Sequence, residues 1–174
     1  MELKSAKKLI DETIITASNI LDIGFIEARY LSKESFDGDI ACYLDRYYYV
    51  IKYNTSWLEV ASYEEIIITT YRRVRQAYQQ VQIEFRDKLI ESNSKIEPKE
   101  LVDIWSEEFQ LYTIPTIEEE LDDDFLSQSC EMDSYAFAYV MCLSINRIRI
   151  DIPSSIVDKV NKRIEEIYKT LKSY

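Results

Sequence analysis

Apolar side chains recur every three or four residues along the first stretch of the chain, from residue 3 to residue 23. The stripe consists of Leu3, Ala6, Ile10, Ile14, Ala17 and Leu21. This spacing places the apolar groups on one face of an α-helix. Gly24 follows directly and predicts the end of that helix.

From residue 25 to residue 54 the pattern changes to runs of β-branched and aromatic residues. Two runs, FIEARYL and IACYLDRYYYVIKYN, are separated by SKESFDGD, in which Asp37 and Gly38 form a turn signal. Tyrosines at 47, 48, 49 and 53 fit packing on the strands better than a partner interface. This region predicts a small antiparallel sheet of two or three strands.

The rest of the chain predicts helices. Residues 63 to 91 contain neither Gly nor Pro and carry apolar positions at helical spacing, namely Ile66, Ile67, Val74, Ala77, Tyr78, Val81 and Phe85. Pro98 suits the first turn of the next helix, and Pro115 leads into an acidic connector. Two further helices are predicted near 129 to 146 and 154 to 172.

No internal repeat or Gly/Ser-rich linker divides the 174 residues. We therefore expect one α+β domain over residues 1 to 174, mostly helical, with the small antiparallel sheet. Neither a secretory signal nor an 18-residue apolar span is found in the sequence. These features predict a soluble cytoplasmic protein that does not enter a membrane.

The residue types that are missing restrict the chemistry. The chain has no histidine, which removes the commonest zinc ligand and general base, and its two glycines cannot form a phosphate-binding loop. The three cysteines, Cys42, Cys130 and Cys142, lack metal-ligand spacing and fit reduced, buried thiols. NTPases and dinucleotide-binding enzymes are excluded.

One helical segment nevertheless has the layout of a metal-binding helix. The run EEIIITTYRRVRQAYQ resembles the active-site helix of small H-E-x-x-H metallopeptidase-like (zincin-like) proteins of Gram-positive phages and conjugative elements. In that family two histidines four residues apart bind zinc, and the glutamate between them activates water. The matching positions here are Arg72, Arg73 and Gln76.

Other segments follow the family's order over roughly residues 45 to 143. YYYVIKYN precedes the helix, WSEEFQLY follows it, and CEMDSYAFAYVMC resembles the segment with the third, acidic zinc ligand. Glu131 matches that ligand best, with Asp133 as the alternative. Arginine cannot coordinate a divalent cation, so the resemblance implies a zincin-like fold with a degenerate site, no metal and no cofactor. We also expect Arg72 or Arg73 to pair with Glu131.

Net charge is concentrated in one part of the chain. Of the formal charge of −11, residues Glu91 to Asp133 contribute −12, from 14 acids and two bases. The densest part is an acid row of Glu118, Glu119, Glu120, Asp122, Asp123 and Asp124. It fits either a solvated loop at the start of a helix or a phosphate-like surface for a basic protein. A hard-cation site is less favoured, because EF-hand spacing is missing.

Three functional hypotheses follow. The first is a binding protein that inhibits a host defence machine, as an anti-CRISPR (type II RNA-guided nuclease) or anti-restriction inhibitor. Its partner would be a basic nucleic-acid-binding protein such as a CRISPR effector nuclease, with or without its guide RNA, whereas free nucleic acid would be repelled. The second is a nuclease-like enzyme that acts on a phosphodiester through Arg72, Arg73, Arg75, Glu131 and Asp133. The third is a regulatory module that self-associates through its last helix.

Overall fold

A computed structural model describes residues 1–36, 40–112 and 123–172 of the chain, and its side chains up to residue 170. The chain divides into two compact units, Met1–Gln80 and Val81–Tyr174. Most of the described residues are helical, and three short strands among them form one sheet. The predicted α+β class with a predominance of helix is therefore confirmed.

The first unit begins with helix α1, Leu3–Leu21. The predicted apolar stripe lies on its buried face, which includes Ala6, Ile10 and Ile14. The helix ends slightly earlier than Gly24 predicts, because Asp22 adopts the left-handed conformation at φ 54°. Ile23 then donates its N–H to the Ser18 carbonyl at 3.1 Å, which satisfies one of the terminal carbonyls of the helix.

The sheet consists of β1 (Glu27–Leu31), β2 (Cys42–Asp45) and β3 (Val50–Asn54), in the order β1-β3-β2. β2 and β3 are antiparallel, but β1 runs parallel to β3, with Glu27 opposite Val50. The sheet is thus mixed, and the prediction of an antiparallel sheet was wrong in this respect. Only four residues join β2 to β3, whereas the connection from β1 to β2 is long enough to place β2 on the far side of β3.

The tyrosine run divides between a turn and a strand. Tyr53 is buried on β3, but Tyr47 and Tyr48 lie in the turn that precedes β3 and are 80% and 68% exposed. Tyr49 closes the turn at a positive φ of 54°. Strand packing therefore explains Tyr53 and does not explain Tyr47 or Tyr48. The turn signal at Asp37 and Gly38 lies outside the described residues.

Side-chain caps begin the next two helices. Asn54 accepts the Ser56 N–H at 3.0 Å at the start of α2, Thr55–Val60. Helix α3, Tyr63–Glu84, starts with a reciprocal capping box, in which Ser62 N–H donates to Glu65 and Glu65 N–H donates to the Ser62 hydroxyl. The predicted helix over 63 to 91 is interrupted at Phe85, after which the short helix α4 covers Arg86–Glu91.

The described part of the second unit contains the end of α3, then α4 and four later α-helices. These are α5 (Lys99–Gln110), α6 (Asp123–Leu126), α7 (Ser129–Met141) and α8 (Val157–Lys172). α7 is buried along most of its length and contacts α5, α6 and α8. The predicted helix over 129 to 146 continues past Met141 as one π-helical turn, Cys142–Asn146.

Among the described residues, no helix is both long and apolar enough to cross a lipid bilayer.

Candidate functional site

The residues that match the zinc-binding positions lie together in the middle of α3. Arg72 and Arg73 are only 4% and 6% exposed, and Gln76 is equally buried. Arg73 donates from Nη1 to Oε1 of Gln76 at 2.9 Å, which is the contact expected for residues three apart on a helix. Arg75 is also buried, with its guanidinium 4.3 Å from the centre of the Tyr78 ring.

These side chains offer no ligand atom with a free lone pair for a divalent cation. A guanidinium stays protonated and has no lone pair for a metal, and the Gln76 amide oxygen already accepts a hydrogen bond from Arg73. Over the ranges 1–36, 40–112 and 123–172, no three His, Cys, Asp or Glu side chains form a group that could hold a metal ion. Arg72, Arg73 and Gln76 therefore do not fit a zinc centre.

We expect the purified protein to contain much less than one zinc per chain, because Arg72 and Gln76 occupy the positions where the resembled family has histidines. Elemental analysis by mass spectrometry measures this directly, with a genuine H-E-x-x-H peptidase purified in parallel as the positive control. Thermal unfolding should also be the same with and without a chelator. One zinc per chain, or a chelator-induced loss of stability, would contradict the degenerate-site hypothesis.

Glu131, the predicted counterpart of the acidic zinc ligand, is fully buried in α7. Its carboxylate accepts a hydrogen bond from the Tyr112 hydroxyl, and the Ser134 hydroxyl lies 3.4 Å from its Oε2. A buried carboxylate needs such donors, because desolvation is costly for a charge. Arg72 and Arg73 belong to the first unit and Glu131 to the second, so their pairing stays a prediction.

Asp133, the alternative ligand, takes part in an ion-pair group in the second unit. It is 2% exposed, and its Oδ1 accepts a hydrogen bond from Arg163 Nε at 2.6 Å. The same guanidinium contacts Glu97 at 2.8 Å and Glu166 at 2.9 Å. We call Arg163, Asp133, Glu97 and Glu166 the Arg163 group. It joins α8 to α7 and to the segment before α5.

Arg163 was not singled out from the sequence, although its spacing from apolar residues of the same helix indicates that it faces the protein interior. Arg163 lies three residues after Val160 and four before Ile167, both of which are buried on α8. A charged residue at these spacings points towards the packed side of a helix. Such a residue requires an acidic partner, and Asp133 supplies it.

Glu108 is a second residue that the sequence did not single out. Its carboxylate, on α5, accepts the backbone N–H groups of Ser129 at 2.6 Å and Cys130 at 2.8 Å. These donors lie in the first turn of α7, where an anion is favoured by free N–H groups and the helix dipole. Glu108 therefore caps α7 from a neighbouring helix. Burial, together with Glu131 and Glu108, raises the pKa of the Cys130 thiol, which makes it a poor nucleophile.

The acid row is only partly described by the structure. Asp123 and Asp124 are exposed in the first turn of α6, whereas Glu118, Glu119, Glu120 and Asp122 lie outside the described residues. Helix α5, which comes earlier in the chain, also has exposed acids, at Glu100, Asp103 and Glu107. Lys99 pairs with Asp103 at 2.6 Å. Five described acids between Glu91 and Asp133 thus face solvent on α5 and α6, whereas Glu131 and Asp133 of the same segment are buried.

The buried and the exposed parts of the candidate site suggest different roles. Arg72, Arg73 and Glu131 are each at most 6% exposed, which gives the nuclease-like hypothesis no support, because a polymer must reach its catalytic groups. The exposed acids of α5 and α6, by contrast, are accessible to solvent.

A comparison of the chain with protein-family models, curated proteins and solved structures finds no match. The resemblance to zincin-like proteins therefore depends on the residues of α3 and α7 described above.

Proposed function

We propose that the chain is a catalytically degenerate, zincin-like protein of a mobile element that acts by binding and inhibits a host defence machine. The preferred target is a type II RNA-guided CRISPR nuclease, and a restriction enzyme is the other target of the same class. The proposal places the protein in the cytoplasm of the host. The observation that carries it is the charge distribution, with 14 acids and two bases between Glu91 and Asp133.

A nuclease that holds guide RNA and DNA has a positively charged channel that follows the nucleic-acid backbone. A row of carboxylates presents negative charge to such a channel much as successive phosphates do. Long-range attraction would raise the rate of encounter and orient the acidic segment towards the channel. A protein with a net charge of −11 would at the same time be repelled by free nucleic acid.

The degenerate site supports the non-catalytic part of the proposal. Arg73 donates a hydrogen bond to Gln76, and Asp133 accepts one from Arg163. Both interactions stabilise a folded unit without providing a reactive group. A scaffold of this kind keeps its shape and can present a surface to a partner.

The proposal is tested by mixing the purified chain with a purified type II nuclease, both free and loaded with guide RNA. We expect a complex by light scattering with at least one of the two forms, and slower cleavage of a matched DNA target in proportion to complex formation. The association rate should fall as salt rises, because the attraction is screened. A restriction endonuclease in a parallel reaction distinguishes the two targets.

Free guide RNA and free duplex DNA serve as controls and should not bind the chain. If neither nuclease form nor the restriction enzyme forms a complex at low salt, the proposed function is wrong. Inhibition that arises from binding the free nucleic acids would also contradict it.

A further inference from the structure

Strand β1 lies at an edge of the three-stranded sheet. Among residues 1–36, 40–112 and 123–172, its only neighbouring strand is β3. Glu27 donates its backbone N–H to the carbonyl of Tyr49, the residue before β3, at 3.3 Å. Successive residues of a strand direct their N–H and C=O groups to opposite edges, so those of Ala28 and Tyr30 point away from β3. This outer edge of β1 has the pattern of groups with which an added strand can pair.

The two faces of β1 have different surroundings. Tyr30 is directed to the interior of the first unit, where its ring stacks on that of buried Tyr53 at 5.9 Å and its hydroxyl lies 3.2 Å from Asp11. Glu27 and Arg29 lie on the opposite face, because side chains alternate along a strand. Their side chains are 45% and 53% exposed and form an ion pair, with Arg29 Nε 2.7 Å from Glu27 Oε1. β1 therefore presents one acid and one base to solvent beside its outer edge.

The residues from Phe25 to Leu31, FIEARYL, are self-complementary about Ala28 when two copies run antiparallel. A two-fold axis at Ala28 places Glu27 of one copy opposite Arg29 of the other, and the same pair recurs on the other side of the axis. Phe25, just before β1, falls opposite Leu31 in the same way. The axis also matches the hydrogen-bonding pattern, because Ala28 directs its N–H and C=O to the outer edge.

Neighbouring positions of the axis are poorer. An axis at Glu27 or Arg29 would place like charges opposite each other, which destabilises a pair of strands. These two residues also direct their backbone groups towards β3. An axis at Tyr30 would place Arg29 opposite Leu31 and lose the ion pairs. Of these four positions, only Ala28 satisfies both the backbone groups and the charges.

We propose that a second copy of the chain pairs with the outer edge of β1 through its own β1, so that two three-stranded sheets form one six-stranded sheet. The charge pattern identifies the occupant, because Glu27 and Arg29 are arranged to pair with the same two residues of another copy. Phe25, which is 85% exposed, gains an apolar neighbour in this dimer. The pairing involves residues of the first unit alone and is independent of the proposed function.

The dimer is expected to be weak and to depend on concentration. Two short strands bury less surface than a standard protein interface, and copies with a net charge of −11 repel each other at long range. At physiological salt the Debye length is about 8 Å, which screens that repulsion more than it screens cross-strand pairs at about 5 Å. The dimer should therefore be measured at this salt, over chain concentrations from about 1 µM to about 1 mM.

Charge reversal at the proposed contact tests the pairing. Glu27→Arg and Arg29→Glu each place like charges opposite each other in the dimer, while both positions are solvent-exposed in the single chain. We expect sedimentation equilibrium to show a dimer of the unmodified chain and an about tenfold weaker dimer of each variant. Glu12→Arg and Lys8→Glu are the matched controls, since they make the same changes of charge at an exposed ion pair of α1. Neither control should change the dimer.

A mixture of the two variants separates pairing from folding. A chain with Glu27→Arg has bases at positions 27 and 29, and a chain with Arg29→Glu has acids at both. The axis at Ala28 then places each base opposite an acid, so an equimolar mixture should form a heterodimer although each variant pairs poorly with itself. A heterodimer also demonstrates that both variants are folded.

Amide hydrogen exchange locates the contact on the strand. The N–H groups of Ala28 and Tyr30 should exchange several-fold more slowly as the chain concentration rises, because they become hydrogen-bonded to the second copy. The N–H of Glu27 already donates to Tyr49, so its exchange should change less.

Three results would overturn the pairing through β1. The first is a chain that remains monomeric up to about 1 mM. The second is a dimer that both charge reversals leave unchanged, which would place the contact elsewhere, for example on the last helix. The third is a mixture of the two variants that pairs no better than either variant alone. None of these results affects the proposed function, which is tested separately by complex formation with the nuclease.

Discussion

Neutralising the acid row should slow association with a type II nuclease by about ten- to a hundredfold at low salt, within the range known for electrostatic steering. The variant replaces Glu118, Glu119, Glu120, Asp122, Asp123 and Asp124 with Gln and Asn. Its net charge changes from −11 to −5 through six removed charges. The dissociation rate should change less, because steering acts mainly on encounter. Stopped-flow or surface-based kinetics at several salt concentrations measure both rates.

A matched control separates the position of the charges from their number. Six exposed acids of the first unit can be neutralised in the same way, namely Glu2, Glu12, Asp22, Glu34, Glu59 and Glu64. This variant also has a net charge of −5 but keeps the acid row. We expect its association rate to stay close to that of the unmodified chain. Both variants should unfold within about 1 kcal/mol of it, as for solvated surface positions.

Salt provides an independent check on the same prediction. At a Debye length of about 3 Å, near 1 M salt, attraction over longer distances is largely screened. The unmodified chain and the acid-row variant should then associate at similar rates. If association is indifferent to both salt and the acid row, the row is only a solvated surface. Exposed Tyr47 and Tyr48 would then be the next candidates for the contact.

The helices of this chain could be predicted because each has a clear periodic signal. The apolar stripe of α1 repeats over five turns, and Ser62 with Glu65 marks the start of α3. Helix breaks were harder to foresee, because Phe85 is neither Gly nor Pro and continues the apolar spacing of the helix. The interruption there and the π-helical turn after Met141 depend on packing that a sequence pattern does not contain.

The order of the strands in the sheet could not be predicted from the sequence for a different reason. Alternating residues show that a strand is half-buried, but they do not show which neighbour it pairs with. Only the four-residue connection between β2 and β3 forces an antiparallel pair. The position of β1 beside β3 depends on a long connection that is compatible with several arrangements.

The residues of the candidate site were recognised in the sequence by their type, but their contacts are known only from the structure. Arg72, Arg73 and Gln76 were singled out because they lie at the positions where the resembled pattern has histidine and glutamate, and the structure adds the hydrogen bond between Arg73 and Gln76. Tyr112 and Glu108 were missed, because each contacts groups 19 to 22 residues away in sequence and has no local signature. The spacing of Arg163 to Val160 and Ile167 indicated the packed side of α8, but its partners Asp133 and Glu97, 30 and 66 residues away, could not be read from that spacing.

Replacing Arg163 should cause a large loss of stability in the second unit. Arg163→Met removes the cation that contacts both Asp133 and Glu97, of which Asp133 is almost fully buried. Breaking a buried ion pair from one side typically costs about 3–5 kcal/mol, because the remaining charge stays in a poorly solvated position. Lys162→Met is the control, since Lys162 is the exposed neighbour on the same helix. It should change stability by less than about 0.5 kcal/mol.

The measurement should report on the second unit alone. Trp105 is buried in α5 and Trp57 belongs to the first unit, so urea unfolding followed by fluorescence in a Trp57→Phe background isolates the Trp105 signal. Adding Asp133→Asn and Glu97→Gln to Arg163→Met should recover part of the lost stability, because neutral amides are less costly to bury than unpaired carboxylates. If Arg163→Met unfolds at the same urea concentration as Lys162→Met, the Arg163 group makes no net contribution to stability. In that case the ion pair between Asp133 and Arg163 would orient the two side chains without stabilising the packing of α7 on α8.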